Sequence, residues 1–358
     1  MRSSSPRSRT GATRGGASWK PARLRTPLPE DLLTMEDQGV MTSAALSAVL
    51  KAVVARDYPG IPTEGRDKVA ILQDVMDAHG WRPVLELGRA LRALSSHPVL
   101  RALCAARTPL QTVERWSTLE RFMHSRHRTR LVEHDLARAR MTLRHVAIDG
   151  GRIRVVNDLF IWGVLIAILE TAGFTGLKVS LASASGAAVV IHGGASRLAP
   201  RKLPAVTDVA TFSWKPARRA PAPVSEASTK GATGQVRDRL QRLMVGDLLH
   251  SWTLVESAQR LALSRRTLQR ALQEEGTTFS ETLQRSRVDA AQGLLGDSSL
   301  TLTDVAFCTG FSDQAHFTRT FRRYNDVPPS ALRELMRSAG SLRLSDGPAR
   351  RGGGPATR

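Results

Sequence analysis

From Ser264 the chain reads Ser-Arg-Arg-Thr-Leu-Gln-Arg-Ala-Leu-Gln. At helical spacing Leu268, Ala271 and Leu272 fall on one side, leaving Arg265, Arg266, Gln269, Arg270 and Gln273 on the other. Arginine and glutamine can hydrogen-bond in pairs to guanine and adenine edges in a major groove, so this face carries the chemistry of duplex reading. Ser264 offers its hydroxyl to the free amides of the first turn, and Gly276 is placed to cap the last. A second stretch repeats the pattern. Phe317 and Phe321 point inward, Asp313, Gln314, His316, Arg319, Thr320 and Arg323 point outward, and Ser312 is the expected N-cap.

A reading helix works only when a preceding helix braces it across the nucleic-acid backbone through a tight turn. Leu254, Val255, Ala258 and Leu261 supply an apolar face for such a helix before the first stretch, with the small Ala258 where close packing is needed. Leu302, Val305 and Ala306 do so before the second, followed by a turn at Thr309-Gly310-Phe311. Between the units, Phe279 to Leu295 is long enough for a rigid helix of roughly 25 Å. A spacer of that size suits two reading helices in successive major-groove turns, which lie ~34 Å apart.

These residues carry a resemblance. The run from Ala262 to Arg270, Glu275-Gly276-Thr277-Thr278-Phe279, and Arg287 with Ala291 and Leu294-Leu295 are similar to the AraC/XylS family of bacterial transcriptional regulators. So are Asp304-Val305-Ala306, Gly310-Phe311-Ser312-Asp313, the run from Phe317 to Arg323, and Pro328-Pro329 with Arg333. The likeness spans the final third of the chain. It implies that Arg266, Gln269 and Arg270 of the first unit, and Gln314, His316 and Arg319 of the second, contact bases or phosphates. It also implies promoter or operator DNA and RNA polymerase as partners; two cysteines in the chain fit a reducing cytoplasm, and no cofactor is expected in the absence of a phosphate-binding Gly-rich loop. Thr309 and Asp326 depart from the family pattern, which has an aliphatic residue and a glycine at these places.

The rest of the chain sets the frame. With 41% apolar and 23% charged residues, 358 residues suffice for two domains with their own cores. The net charge of +20 is not where the reading helices are. Residues 1–30 carry +6, 196–230 carry +5 and 338–358 carry +3, whereas 235–337 carry only +2. Placement of individual arginines, not bulk charge, therefore supports duplex binding. Residues 1–40 and 338–358 read as disordered tails, and Met35 and Met41 stand just before the first patterned helix. Residues 195–234, rich in Pro, Ala, Arg and Ser, read as a linker. The most apolar run, Leu159 to Leu169, is too short to span a bilayer, so no membrane association is expected.

The remaining segment, 41–194, is expected to be a mixed α+β effector or dimerisation domain that senses a small molecule or forms a homodimer. Four or five short helices fill Thr42 to Ser125. Met141 to Ile148 and Arg152 to Val156 are expected to pair as a hairpin about Asp149-Gly150-Gly151, followed by a buried helix from near Asp158. Leu177 to Leu181 and Ala187 to Ile191 read as two further strands. An all-α C-terminal domain of about seven helices, 235–337, completes the expected architecture.

No catalytic or metal constellation competes with this reading. His124, His127 and His134 have a spacing that could bring two imidazoles together on a helix, but no acid or thiol completes a metal set, and surface histidines are favoured. Glu86, Glu114, Glu120 and Asp158 show no acid–base pairing. Two alternatives are weighed. A DNA-targeted enzyme such as an alkyl-acceptor repair protein needs an activated cysteine, and Cys104 and Cys308 read as buried apolar residues. A non-specific architectural DNA binder needs a folded domain more basic than +2. The sequence thus points to a non-enzymatic regulator.

Overall fold

A computed structural model describes residues 43–345 apart from 95–96, 124, 184–186, 194–201, 217–234 and 298. The expected tail 1–40 and the end of the chain from 346 lie outside these residues. The first helices are α1 (Ser43–Asp57), α2 (Lys68–His79), α3 (Trp81–Arg89), α4 (Pro98–Cys104) and α5 (Pro109–Phe122), with a 3-10 turn at Ala90–Leu94. Proline at the start of α4 and α5 suits the first turn, where its missing N–H is not needed.

Strands β1 (His127–Asp135) and β2 (Arg140–Ala147) follow, then α6 (Val155–Thr171), β3 (Lys178–Leu181), β4 (Val189–His192) and β5 (Val209–Ser213). They form one antiparallel sheet in the order β1-β2-β5-β3-β4. Helix α6 is the hub. Its residues from Val156 to Leu169 are buried on nearly every side, which is why no amphipathic period marks it. It crosses α3 at two glycines. A Cβ on Gly88 would fall 2.1 Å from the Phe160 carbonyl oxygen, and one on Gly163 equally close to that of Leu85, so only glycine lets the two backbones meet.

Three expectations are corrected here. The hairpin lies one strand earlier. His127 pairs with Ala147 and Asp135 with Arg140, around a turn in which Ala139 takes φ +48°. Residues beyond Gly151 do not return as a strand but enter α6 at Val155, before the expected start near Asp158. Strand β1 hid from the sequence because Arg130 to His134 are exposed on both faces and carry no alternation. The second correction concerns the expected linker, which contains β5 in the middle of the sheet. Ala210 and Phe212 of β5 are fully buried, between β2 and β3. Third, the last helix runs to Ser345, past the expected domain end at 337.

Among the described residues from Val236 onward, seven helices follow: α7 (Val236–Val245), α8 (Leu254–Arg260), α9 (Arg265–Glu274), α10 (Phe279–Leu295), α11 (Leu302–Cys308), α12 (Gln314–Asn325) and α13 (Pro329–Ser345). Their cores are divided. Leu240, Leu243, Met244, Trp252, Ala258, Leu261, Leu268 and Leu272 form a cluster of their own around α7, α8 and α9. Val288, Ala291, Leu295, Val305, Phe307, Phe311, Phe317 and Phe321 of α10 to α12 instead join the core of the α/β half. The seam shows Phe122 of α5 edge-on to Phe307 of α11, with ring centroids 5.9 Å apart. No helix among the described residues is long and apolar enough to cross a membrane.

Candidate nucleic-acid interface

Helix α9 meets the expectation in detail. Ser264 caps it, its Oγ accepting from the Thr267 amide at 3.0 Å. Gly276 follows the last turn at φ +71°, and the Gln273 carbonyl accepts its amide. Leu268 and Leu272 are buried, while Arg265, Arg266, Gln269, Arg270 and Gln273 are exposed on the opposite side. Among the described residues, Arg270 alone of these five makes an ion pair, at 3.4 Å from Glu274 and well exposed, a pair of little energetic weight. The bracing helix α8 starts at the N-cap Thr253 and buries Ser257 and Ala258, but Val255 is exposed, not part of its apolar face. The turn between them places Ala262 at φ +56°, which a small side chain tolerates.

The second unit is built on the same plan with different fittings. Its N-cap is Asp313 rather than Ser312, because Asp313 takes the extended backbone before the first helical residue and its Oδ1 accepts from the His316 amide at 2.7 Å. That backbone hydrogen bond holds the Asp313 carboxyl below its ordinary range. Ser312 Oγ donates to Asp313 Oδ2 and lies 3.0 Å from His316 Nδ1. The His316 ring is edge-on to Phe311, so it is half-buried. Thr320 is corrected outright. It lies 7% exposed beside Phe317 and Phe321, since the inward stripe of α12 is three residues wide at that turn.

Gln314, Arg319 and Arg323 remain outward. Thr303 donates to Gln314 Oε1 at 3.0 Å, and Arg323 donates to Gln284 of α10 while lying over the Tyr324 ring. The two departures from the family pattern are accommodated. Thr309 is fully buried and returns its hydroxyl to the Val305 carbonyl at 2.6 Å, so it sits as an aliphatic residue would. Asp326 ends α12 at φ +60°, the left-handed position that glycine would occupy.

Other groups weighed in the sequence fall elsewhere. His127 and His134 stand near opposite ends of β1, not on a helix, and His124 lies outside the described residues. Asp158 is part of a buried network that the sequence did not show. Its carboxylate lies 2.8 Å from His145 Nδ1 and accepts from Thr207 Oγ1 at 2.6 Å. Glu120 is likewise buried, accepting from Trp116 Nε1 and from the amide and hydroxyl of Thr129. Both brace α5 and α6 against the sheet. Burial pushes the thiols of Cys104 and Cys308 up to about 11 and about 12, far from thiolate reactivity.

Sequence reasoning missed the residues that join the halves. Arg115 of α5 donates to the Ala102 carbonyl at 2.6 Å and to both oxygens of Asp247, after α7, at 2.6 Å. Both side chains are nearly buried. No local pattern could pair residues so far apart.

The helix-turn-helix domain family model matches residues 257–335, from within α8 through the second unit. The C-terminal segment is a helix-turn-helix domain of the AraC/XylS type. The transcriptional regulator GadX of Escherichia coli O6:H1 is 31% identical over 107 residues, which is 30% of this chain and 38% of that protein. The transcriptional activator RhaS of Klebsiella pneumoniae is 42% identical over 80 residues, 22% of this chain and 29% of that protein. The solved structure of a DNA-binding transcriptional dual regulator from Escherichia coli K-12 aligns over 29% of this chain and 95% of its own at 27% identity, with a TM-score of 0.29. The chain thus spans little more than a third of the first of these relatives.

Proposed function

We propose that the protein is a sequence-specific DNA-binding transcription regulator whose α/β half controls how its two reading helices meet a promoter. The observation that carries this is α9. Buried Leu268 and Leu272 turn Arg265, Arg266, Gln269 and Arg270 together toward solvent on a helix capped at both ends. Such an array is suited to bidentate contacts with base edges and phosphates in one major-groove segment. Gln314, Arg319 and Arg323, with His316 and Asp313 at the head of α12, form the second and narrower contact set. Thr320 is not part of it. RNA polymerase is the partner such a regulator would recruit or block, in the cytoplasm, and a small molecule or a second copy of the chain would act through the α/β half.

The alkyl-acceptor alternative is disfavoured by two thiols held protonated by burial. Immunoprecipitation of the chain from cells, followed by sequencing of the attached DNA, tests the proposal. Enrichment of a few discrete intergenic segments is expected. Coverage no different from bulk DNA would contradict it.

A further inference from the structure

The seam between the halves contains a cleft of about 330 Å³, within the range of small-molecule sites. Its walls come from three places. Helix α5 gives Arg115 and Arg121, the segment after α7 gives Leu249 and His250, and α10 with the second helix-turn-helix gives Arg287, Phe307, Phe311 and His316. Asp247 already neutralises Arg115, and Glu256 lies 2.8 Å from His250. That leaves Arg121, which donates to Thr118 Oγ1, and Arg287 in walls that carry one carboxylate, Glu114.

Arg287 is the anomaly. Its Nε is buried with no hydrogen-bond partner among the described residues. Burial pushes the guanidinium below its ordinary range. A Cβ on Gly310 would fall 3.2 Å from this nitrogen and 2.1 Å from the Leu248 carbonyl oxygen, so the turn of the second unit is pressed against the same spot. A half-buried guanidinium with no ion pair among the described residues carries a desolvation cost, which an anion delivered to it would offset.

We propose that this cleft binds a small organic anion, its charged head on Arg287 and Arg121 and its apolar body against Phe307, Phe311 and Leu249. The occupant would touch α5, the connection after α7 and the head of α12 at once, so its binding would favour one placement of the second unit relative to the α/β half. That last coupling rests on the proposed regulatory function; the binding does not.

Melting of the full chain without DNA separates the two. At constant ionic strength, saturating benzoate or phenyl phosphate raises the midpoint by about 2 °C or more, and the neutral benzamide does not. A response to benzoate alone assigns a carboxylate, and to phenyl phosphate alone a phosphate ester. Arg287→Met melts at or above the parent when ligand-free and loses the anion response, while Arg121→Gln retains the parent's ligand-free midpoint with a reduced response. The proposal is overturned by equal shifts with benzamide, by no shift with either anion, by a response that survives Arg287→Met, or by a marked fall in that variant's ligand-free midpoint. None of these outcomes depends on whether the chain binds DNA.

Discussion

The two helix-turn-helix units share a plan and differ in what they stand on. The first, α8 and α9 with α7 behind them, closes a core of its own around Leu240, Trp252, Leu268 and Leu272. The second, α11 and α12 with α10, has Phe307, Phe317 and Phe321 in one continuous core with α5 and α6. The outward faces differ accordingly. Helix α9 presents a row of solvated arginines and glutamines. Helix α12 has one expected contact buried, one tied back to α10 and one lying against Phe311. We read the first unit as the freer reader of DNA and the second as the one whose position the α/β half dictates.

The comparison can be broken most forcefully at the seam. Arg115→Ala would leave Asp247 nearly buried without its partner, and we expect about 3–5 kcal/mol of lost stability in chemical denaturation of the whole chain. An unchanged midpoint would mean the halves do not depend on each other. Phe307→Ala and Leu268→Ala sharpen the same point. Each opens a cavity worth about 2–5 kcal/mol, but in different cores. Hydrogen exchange should speed in α5, α6 and α10 to α12 for Phe307→Ala, and in α7 to α9 with the start of α10 for Leu268→Ala.

Smaller effects concern the faces. Arg266→Ala and Arg270→Ala should each weaken binding to a preferred duplex by about 1–3 kcal/mol with the melting point unchanged, measured by fluorescence anisotropy. The smallest expected effect is at the cap of α12. Asp313→Ala should cost about 0.5–2 kcal/mol near pH 7. Because the folded carboxyl titrates below its ordinary value of 3.8, its contribution is complete above that pH and fades as the pH falls through the lowered value. The parent and the variant should therefore converge in strongly acidic melts. A gap that widened on acidification would contradict the capping geometry.

Much of this was legible in the sequence, for physical reasons that differ by region. Helices α8 to α12 are locally capped and separated by residues suited to turns, so Ser264, Gly276, Leu268 and Phe317 announce their roles at short range. Thr320 was misjudged because a stripe three residues wide cannot be told from a narrower one without knowing what packs on it. The sheet was hardest. Strand β5 is five residues among prolines and basic residues, and its partners β2 and β3 are distant in sequence. Helix α6 is apolar on all sides, which fixes its burial but not its start. Arg115 with Asp247, and Arg287 beneath Gly310, become visible only once the halves are assembled.

The most direct test of the account is selection from a random-sequence duplex pool by the intact protein, repeated with Arg266→Ala and Arg270→Ala. The account predicts two blocks of preferred bases about one helical turn apart, with preference in one block lost in both variants and the other retained. Recovery of duplexes with no shared sequence, or variants that select the parent's two blocks unchanged, would contradict it.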